Sequence, residues 1–221
     1  PGEPTVQLVG NPEFDSERLM AYEVGYRWQA HPTLFLDVAA FENRYDGLAS
    51  LEPDVPVLES IANQMPIVVR YRNLMNGRAR GLEALATFAP VPWWRLSATS
   101  SWLDLRLEPE GSDLNNGRFS EGSTPTHQLG VRSYVDLPRG VQVDAMFRRL
   151  TSVQSLLFTG PTTELPGYGE LDLRVAWRGW EQTELSVVGT NLLHSSHAEF
   201  GLPQQRGEVE RAVYLRVAWG F

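Results

Sequence analysis

Apolar and polar positions alternate with a period of two along most of the chain, and helical periodicity is almost absent. The C-terminus is the plainest case. Val213, Leu215, Val217, Trp219 and Phe221 share one face, and Ala212, Tyr214, Arg216, Ala218 and Gly220 the other. Met20, Tyr22, Val24, Tyr26 and Trp28 likewise oppose Ala21, Glu23, Gly25 and Arg27. Leu171, Leu173, Val175 and Trp177 oppose Glu170, Asp172, Arg174 and Ala176. The pattern predicts nine strands over residues 19–30, 33–45, 67–89, 93–107, 127–137, 141–153, 168–178, 183–191 and 212–221. The connections alternate strictly in length. Short turns fall at His31-Pro32, Pro90-Val91-Pro92, Pro138-Arg139-Gly140 and 179–182, and long polar loops at 46–66, 108–126, 154–167 and 192–211. Antiparallel strands joined this way form an all-β, up-and-down meander with two unlike ends, the plan of outer-membrane barrels. Asn76-Gly77 is a strong hairpin cue that would break the alternation. It is read instead as a bulge or kink within one long strand.

The two faces differ in kind. One carries Glu23, Arg27, Asp37, Arg95, Arg132, Asp136, Asp144, Arg148, Asp172, Arg174 and Arg216. These residues are expected to face a hydrated lumen. Ion pairs across neighbouring strands are the structural reading of the same set. The other face is apolar and ends in aromatics. Trp28, Trp94, Trp177, Trp219 and Phe221 lie near the short-turn ends of their strands, with Trp93 and Trp180 in or beside the turns. Aromatics at one level across many strands form an interfacial girdle. A soluble β-sandwich or lipocalin-like barrel has no reason to level its tryptophans. Arg on a lipid face costs about 2–4 kcal/mol at mid-membrane, so confinement of charge to one face itself favours a membrane barrel.

Composition narrows the function classes. The 221 residues carry 19 Lys+Arg against 27 Asp+Glu, a net charge of −8, which disfavours nucleic acid as a partner. Cys is 0, which removes disulfides, thiol catalysis and Cys-ligated zinc. No window approaches a transmembrane helix. The start, Pro-Gly-Glu-Pro, has neither Met nor a leader, so the chain is expected to be processed or a piece of something longer. His194 and His197 flank Ser195 and Ser196 in the last loop and are weighed as a metal or nucleophile site. With no third ligand fixed nearby in sequence, they read as part of a polar external loop. His31 and His127 read as surface histidines. Gly167-Tyr168-Gly169 has no following helix and is not a dinucleotide loop. No catalytic, cofactor or metal residue is expected.

Four segments together resemble the C-terminal part of the barrel of a TonB-dependent outer-membrane receptor. They are 11–17 (NPEFDSE) followed by 22–27 (YEVGYR); 41–48 (FENRYDGL); Tyr71-Arg72-Asn73 with Gly81-Leu82-Glu83; and 189–193 (GTNLL) with a Phe-terminated last strand. The resemblance implies that residues 1–221 are one barrel portion, from which the plug domain and the first dozen or so of 22 strands are missing. It implies a multi-pass barrel in the Gram-negative outer membrane, in contact with lipid. Its partners would be the missing plug and strands of the same receptor, TonB through that plug, and a small metal-chelate ligand. The nutrient would be a ferric siderophore, haem or cobalamin. The outward row Val213, Leu215, Val217, Trp219 and Phe221 looks like the insertion signal of outer-membrane proteins. A small self-contained barrel acting as adhesin or porin is the runner-up, and an outer-membrane hydrolase the third reading.

Overall fold

The computed structural model describes residues 5–112, 118–155, 163–180, 182–201 and 206–220. In chain order the elements are β1 (Val6–Val9), β2 (Arg18–His31), β3 (Leu34–Pro53), α1 (Val57–Ala62), β4 (Ile67–Val91), β5 (Trp94–Pro109), α2 (Arg118–Ser123), β6 (His127–Leu137), β7 (Val141–Leu150), β8 (Val153–Ser155), β9 (Thr163–Leu165), β10 (Tyr168–Trp180), β11 (Thr183–Thr190), β12 (Ser196–Ala198), β13 (Glu208–Glu210) and β14 (Ala212–Trp219). Nine of them form one antiparallel meander in the order β14-β11-β10-β7-β6-β5-β4-β3-β2. These are the nine strands the alternation predicts. Strands β2 and β14 are the two edges of the sheet.

The differences lie at the loop end. The segment 46–66 is expected to be a loop, yet β3 continues to Pro53 and pairs with β4 through Pro53↔Val69. Strand β4 runs unbroken for 25 residues, about 80 Å at the usual rise, much more than a bilayer needs. Asn76-Gly77 lies inside it and keeps register with β5 on one side. On the other side β3 carries one extra residue between Tyr45 and Leu48, and β4 carries one between Arg72 and Met75. Two compensating bulges thus replace the hairpin. Gly47 adopts φ +65° at the first, a conformation that favours glycine. Asn76 Oδ1 accepts from its N–H at 3.2 Å, and Asn73 Nδ2 donates to its carbonyl at 2.7 Å. Asn73 also exchanges hydrogen bonds with the backbone of Asp15, pinning the segment before β2 to the bulge. Strand β1 adds in parallel beside the outer part of β4. Hairpins β8–β9 and β12–β13 fold within the other long connections.

Register fixes the two faces. Arg27, Asp37, Leu85, Thr99, Gly130, Arg148 and Glu170 form one cross-strand row, since each is paired directly with the next. The opposite face includes Val24, Val38, Leu82, Leu129, Leu173, Val175 and Val187, all large apolar residues left exposed. Charge returns to this apolar face toward the loop end, in the row Tyr22–Glu42–Arg80–Asp104 and at Arg149 beside Leu129 near the end of β7. There Arg44 and Arg80 each donate to Glu42 at 2.7 Å. At the turn end stand Trp28, Trp93, Trp177 and Trp219, all exposed. An apolar band bounded by charge above and aromatics below is the outer surface of a transmembrane barrel. Packing agrees: the buried apolar cluster among the described residues is only Leu51, Ile67 and Val69, at the loop end. A sheet this large without a core has its apolar solvent elsewhere.

Candidate functional site

The polar face encloses an open cavity of about 1270 Å³. Glu23, Arg27, Asp37, Arg132, Arg148 and Asp172 line it. Strand alternation puts them there, because each occupies the register position opposite a like-facing residue on its neighbour. Arg27 Nε donates to Asp37 Oδ2 at 2.8 Å across β2–β3. Phe41 lies over Gly81, where a Cβ would stand 2.3 Å from its ring. That close approach gives Gly81 a packing role in the Gly81-Leu82-Glu83 segment.

Arg95, Asp136, Asp144, Arg174 and Arg216 share the face but sit nearer the turns, outside the cavity lining. The Arg95 guanidinium lies 4.8 Å from the Tyr134 ring centre. Gln142 donates to Asp136 at 2.7 Å. Arg174 donates to Asp144 at 2.6 Å and also to Glu184, which accepts from Arg178 at 2.9 Å. Arg216 is exposed, opposite Ser186. Cavity lining and cross-strand pairing overlap in this set, since Arg27 with Asp37 and Arg148 with Glu170 do both. Val213, Leu215, Val217 and Trp219 form one exposed row on β14; Phe221 lies outside the described residues.

The loop end of β7, β10 and the β12–β13 hairpin holds a tighter constellation. Arg148 bridges Glu170 and Glu199. Tyr168 donates its hydroxyl to Glu199 Oε1 at 2.8 Å, and its ring stacks on His197 with centroids 4.0 Å apart. His197 Nε2 lies 3.5 Å from Glu199 Oε1, while its Nδ1 lies 3.2 Å from Asn191 Oδ1. Asn191 is fully buried; its N–H donates to Asp172 and its Nδ2 to Val209 O. Burial pushes the Glu199 carboxyl up, but donation from Tyr168 and Arg148 outweighs it, so the group sits below the usual carboxylate range. One atom each from Glu170, His197 and Glu199 lie within 4.8 Å of one another, a set able to hold a metal ion. The sequence reading picked out His194 and His197 but missed this set. In an extended segment residues two apart share a side, so His197-Ala198-Glu199 already carried the signal. Glu170 comes from a distant strand and had none. His194 lies edge-on to His197, with centroids 6.3 Å apart.

An antiparallel meander with an apolar band on one face and a charged, cavity-lining opposite face defines the wall of an outer-membrane-type β-barrel. The chain belongs to the TonB-dependent receptor-like β-barrel family, whose model matches residues 1–192. No curated protein sequence matches it. Among solved structures, the ferric-catecholate import receptor Fiu from E. coli K12 is 18% identical, with 96% of this chain and 29% of that one covered and a TM-score of 0.74. The FrpB iron transporter from Neisseria meningitidis is 13% identical, with 96% and 32% covered and a TM-score of 0.75. The pyoverdine outer-membrane receptor FpvA from Pseudomonas aeruginosa, bound to pyoverdine, is 16% identical, with 93% and 30% covered and a TM-score of 0.71. The chain thus spans about a third of the length of the structures it matches. At these identities the likeness is one of fold. The family is one of outer-membrane receptors. No helix among the described residues is long and apolar enough to cross a membrane, which is no bar to a β-barrel.

Proposed function

We propose that residues 1–221 supply the later part of the wall, and several external loops, of a TonB-coupled uptake receptor in the Gram-negative outer membrane. The observation that carries this is the pairing of faces. Glu23, Arg27, Asp37, Arg132, Arg148 and Asp172 line a water-accessible cavity, while Val24, Val38, Leu129 and Leu173 stand exposed on the reverse of the same strands. The first face is a lumen wall, with Arg95, Asp136, Asp144, Arg174 and Arg216 completing it toward the turns, and the second meets lipid. The long connections face outward and capture ligand. The plug, which these residues do not include, is pulled by TonB to release it.

The nutrient class is ferric siderophore, haem or cobalamin. The names of the solved structures, several of them iron-uptake receptors, support the first. The row Val213, Leu215, Val217, Trp219 and Phe221 acts as the insertion signal at the last strand. The edges of β2 and β14, unpaired among the described residues, weigh against a small self-contained barrel. The test is uptake by cells carrying the intact receptor, offered a panel of labelled ferric siderophores, haem and cobalamin, with and without TonB. Accumulation of one class that vanishes without TonB is expected. Accumulation that persists without TonB, or none from any class, refutes the proposal.

A further inference from the structure

We propose that Glu170, His197 and Glu199 form a binding site for one divalent transition-metal ion of the zinc class, clamping the β12–β13 hairpin to the barrel wall. Asn191 Nδ2 is committed to Val209 O, which leaves Asn191 Oδ1 as the atom facing His197 Nδ1 at 3.2 Å. An amide oxygen only accepts, so Nδ1 carries the hydrogen. In the neutral ring, Nε2 then holds a lone pair. The side chain is only 8% exposed, Nε2 is buried without a hydrogen-bond partner among the described residues, and it lies 3.5 Å from Glu199 Oε1. A buried lone pair beside a carboxylate is unfavourable unless the two groups share a cation. Metal-ligating histidines are held in this way, the second nitrogen donating to a fixed acceptor so that the first faces the ion.

The carboxylates are arranged to match. Arg148 and Tyr168 contact Glu199 at Oε1, and Arg148 contacts Glu170 at Oε2. Among the described residues these contacts leave Glu199 Oε2 and Glu170 Oε1 for an ion. One imidazole and two carboxylates, with water in the fourth place, suit zinc better than calcium, which takes oxygen ligands. The ligand atoms, now within 4.8 Å of one another, must close by up to about 1.5 Å to reach tetrahedral spacing. Two flexible Glu side chains allow that. Arg148 and Tyr168 become outer partners. The ion would join the wall, through Glu170 on β10, to His197 on β12 and Glu199 just after it.

The experiment titrates Zn2+ alone into the intact receptor in detergent micelles, against a chromophoric chelator. His197→Gln, Glu199→Gln and His194→Ala are compared, each first shown to be folded by its heat-modifiable gel mobility. One tight equivalent is expected in the unaltered receptor. It should weaken by about 100-fold or more in His197→Gln and in Glu199→Gln, because losing a ligand exceeds the 10–100-fold cost of losing an outer partner. His194→Ala should stay within about threefold. If one of the two ligand variants does not fold, the other carries the test. No stoichiometric equivalent, or affinity unchanged in the folded ligand variants, overturns the proposal. Nutrient uptake is read separately, so this site can fail while the transport reading stands.

Discussion

If the apolar face meets lipid, an arginine at Leu173 is the sharpest test. Leu173 lies on β10, paired with Ala145 on β7 and Gly189 on β11, and is exposed on that face. Trp177, at the aromatic level, is four residues further along. Four residues at about 3.3 Å, on a strand tilted about 40°, place Leu173 some 10 Å deeper than the tryptophan. Half of a ~25 Å apolar band is about 12 Å, so Leu173 is close to the midplane. An arginine there costs about 3 kcal/mol, or roughly 150-fold in the unfolding equilibrium. The control is Ser101→Arg. Ser101 lines the cavity, and its register partners are Glu83 and Gln128. A guanidinium there stays hydrated and gains a carboxylate neighbour, so the change should stay within about 1 kcal/mol. Denaturant unfolding of the intact receptor in lipid vesicles measures both, and Leu173→Ala subtracts the loss of the leucine itself. If Leu173→Arg is no costlier than Ser101→Arg, the assignment of faces is wrong.

Other outcomes follow from the same geometry. A cysteine at Ser195 should react with an impermeant maleimide on intact cells and one at Arg139 should not; the opposite pattern reverses the topology. Removing Phe221 from the receptor should strongly reduce insertion into the outer membrane, measured as the heat-modifiable fraction, and normal insertion would refute the signal. Arg174→Met should destabilise the receptor by about 1–3 kcal/mol, because its guanidinium serves both Asp144 and Glu184 with only 23% of its side chain exposed. Arg18→Met should change less than about 1 kcal/mol, since Arg18 and Asp46 are 3.9 Å apart with both side chains over 70% exposed. Chemical denaturation of both variants checks the pair, and equal costs would refute it.

The strands were legible because both faces meet a definite environment. Each residue of 19–30 or 168–178 answers to lipid or to water in turn, so the period-two pattern is written twice, once per face. The loop end lacked that discipline. The continuation of β3 through Leu51 to Pro53 rests on pairing with Val69 and Tyr71, a tertiary fact with no local alternation to announce it. Strands of three residues such as Ser196–Ala198 and Glu208–Glu210 are too short for a period to show. The Asn76-Gly77 cue was real in its local chemistry, since Asn76 does bind a glycine N–H, but that glycine is Gly47 on the neighbouring strand. In the metal-capable set, His197 and Glu199 were readable as near neighbours. Glu170 and Arg148 join them only because β7 and β10 pair as Glu170↔Arg148.

The two open edges impose a parity rule on whatever completes the sheet. Nine antiparallel strands leave β2 and β14 running in the same direction. A closed ring whose neighbours all alternate needs an even total. Any complement that closes this sheet without a parallel seam must therefore contribute an odd number of strands. Adding or losing a hairpin changes the count by two and preserves closure, whereas a single strand gained or lost does not. A wall of this kind can lengthen or shorten its circumference only in hairpin steps. Loops such as those joining β7 to β10 or β11 to β14, lying within a step, are free to vary without touching the seam.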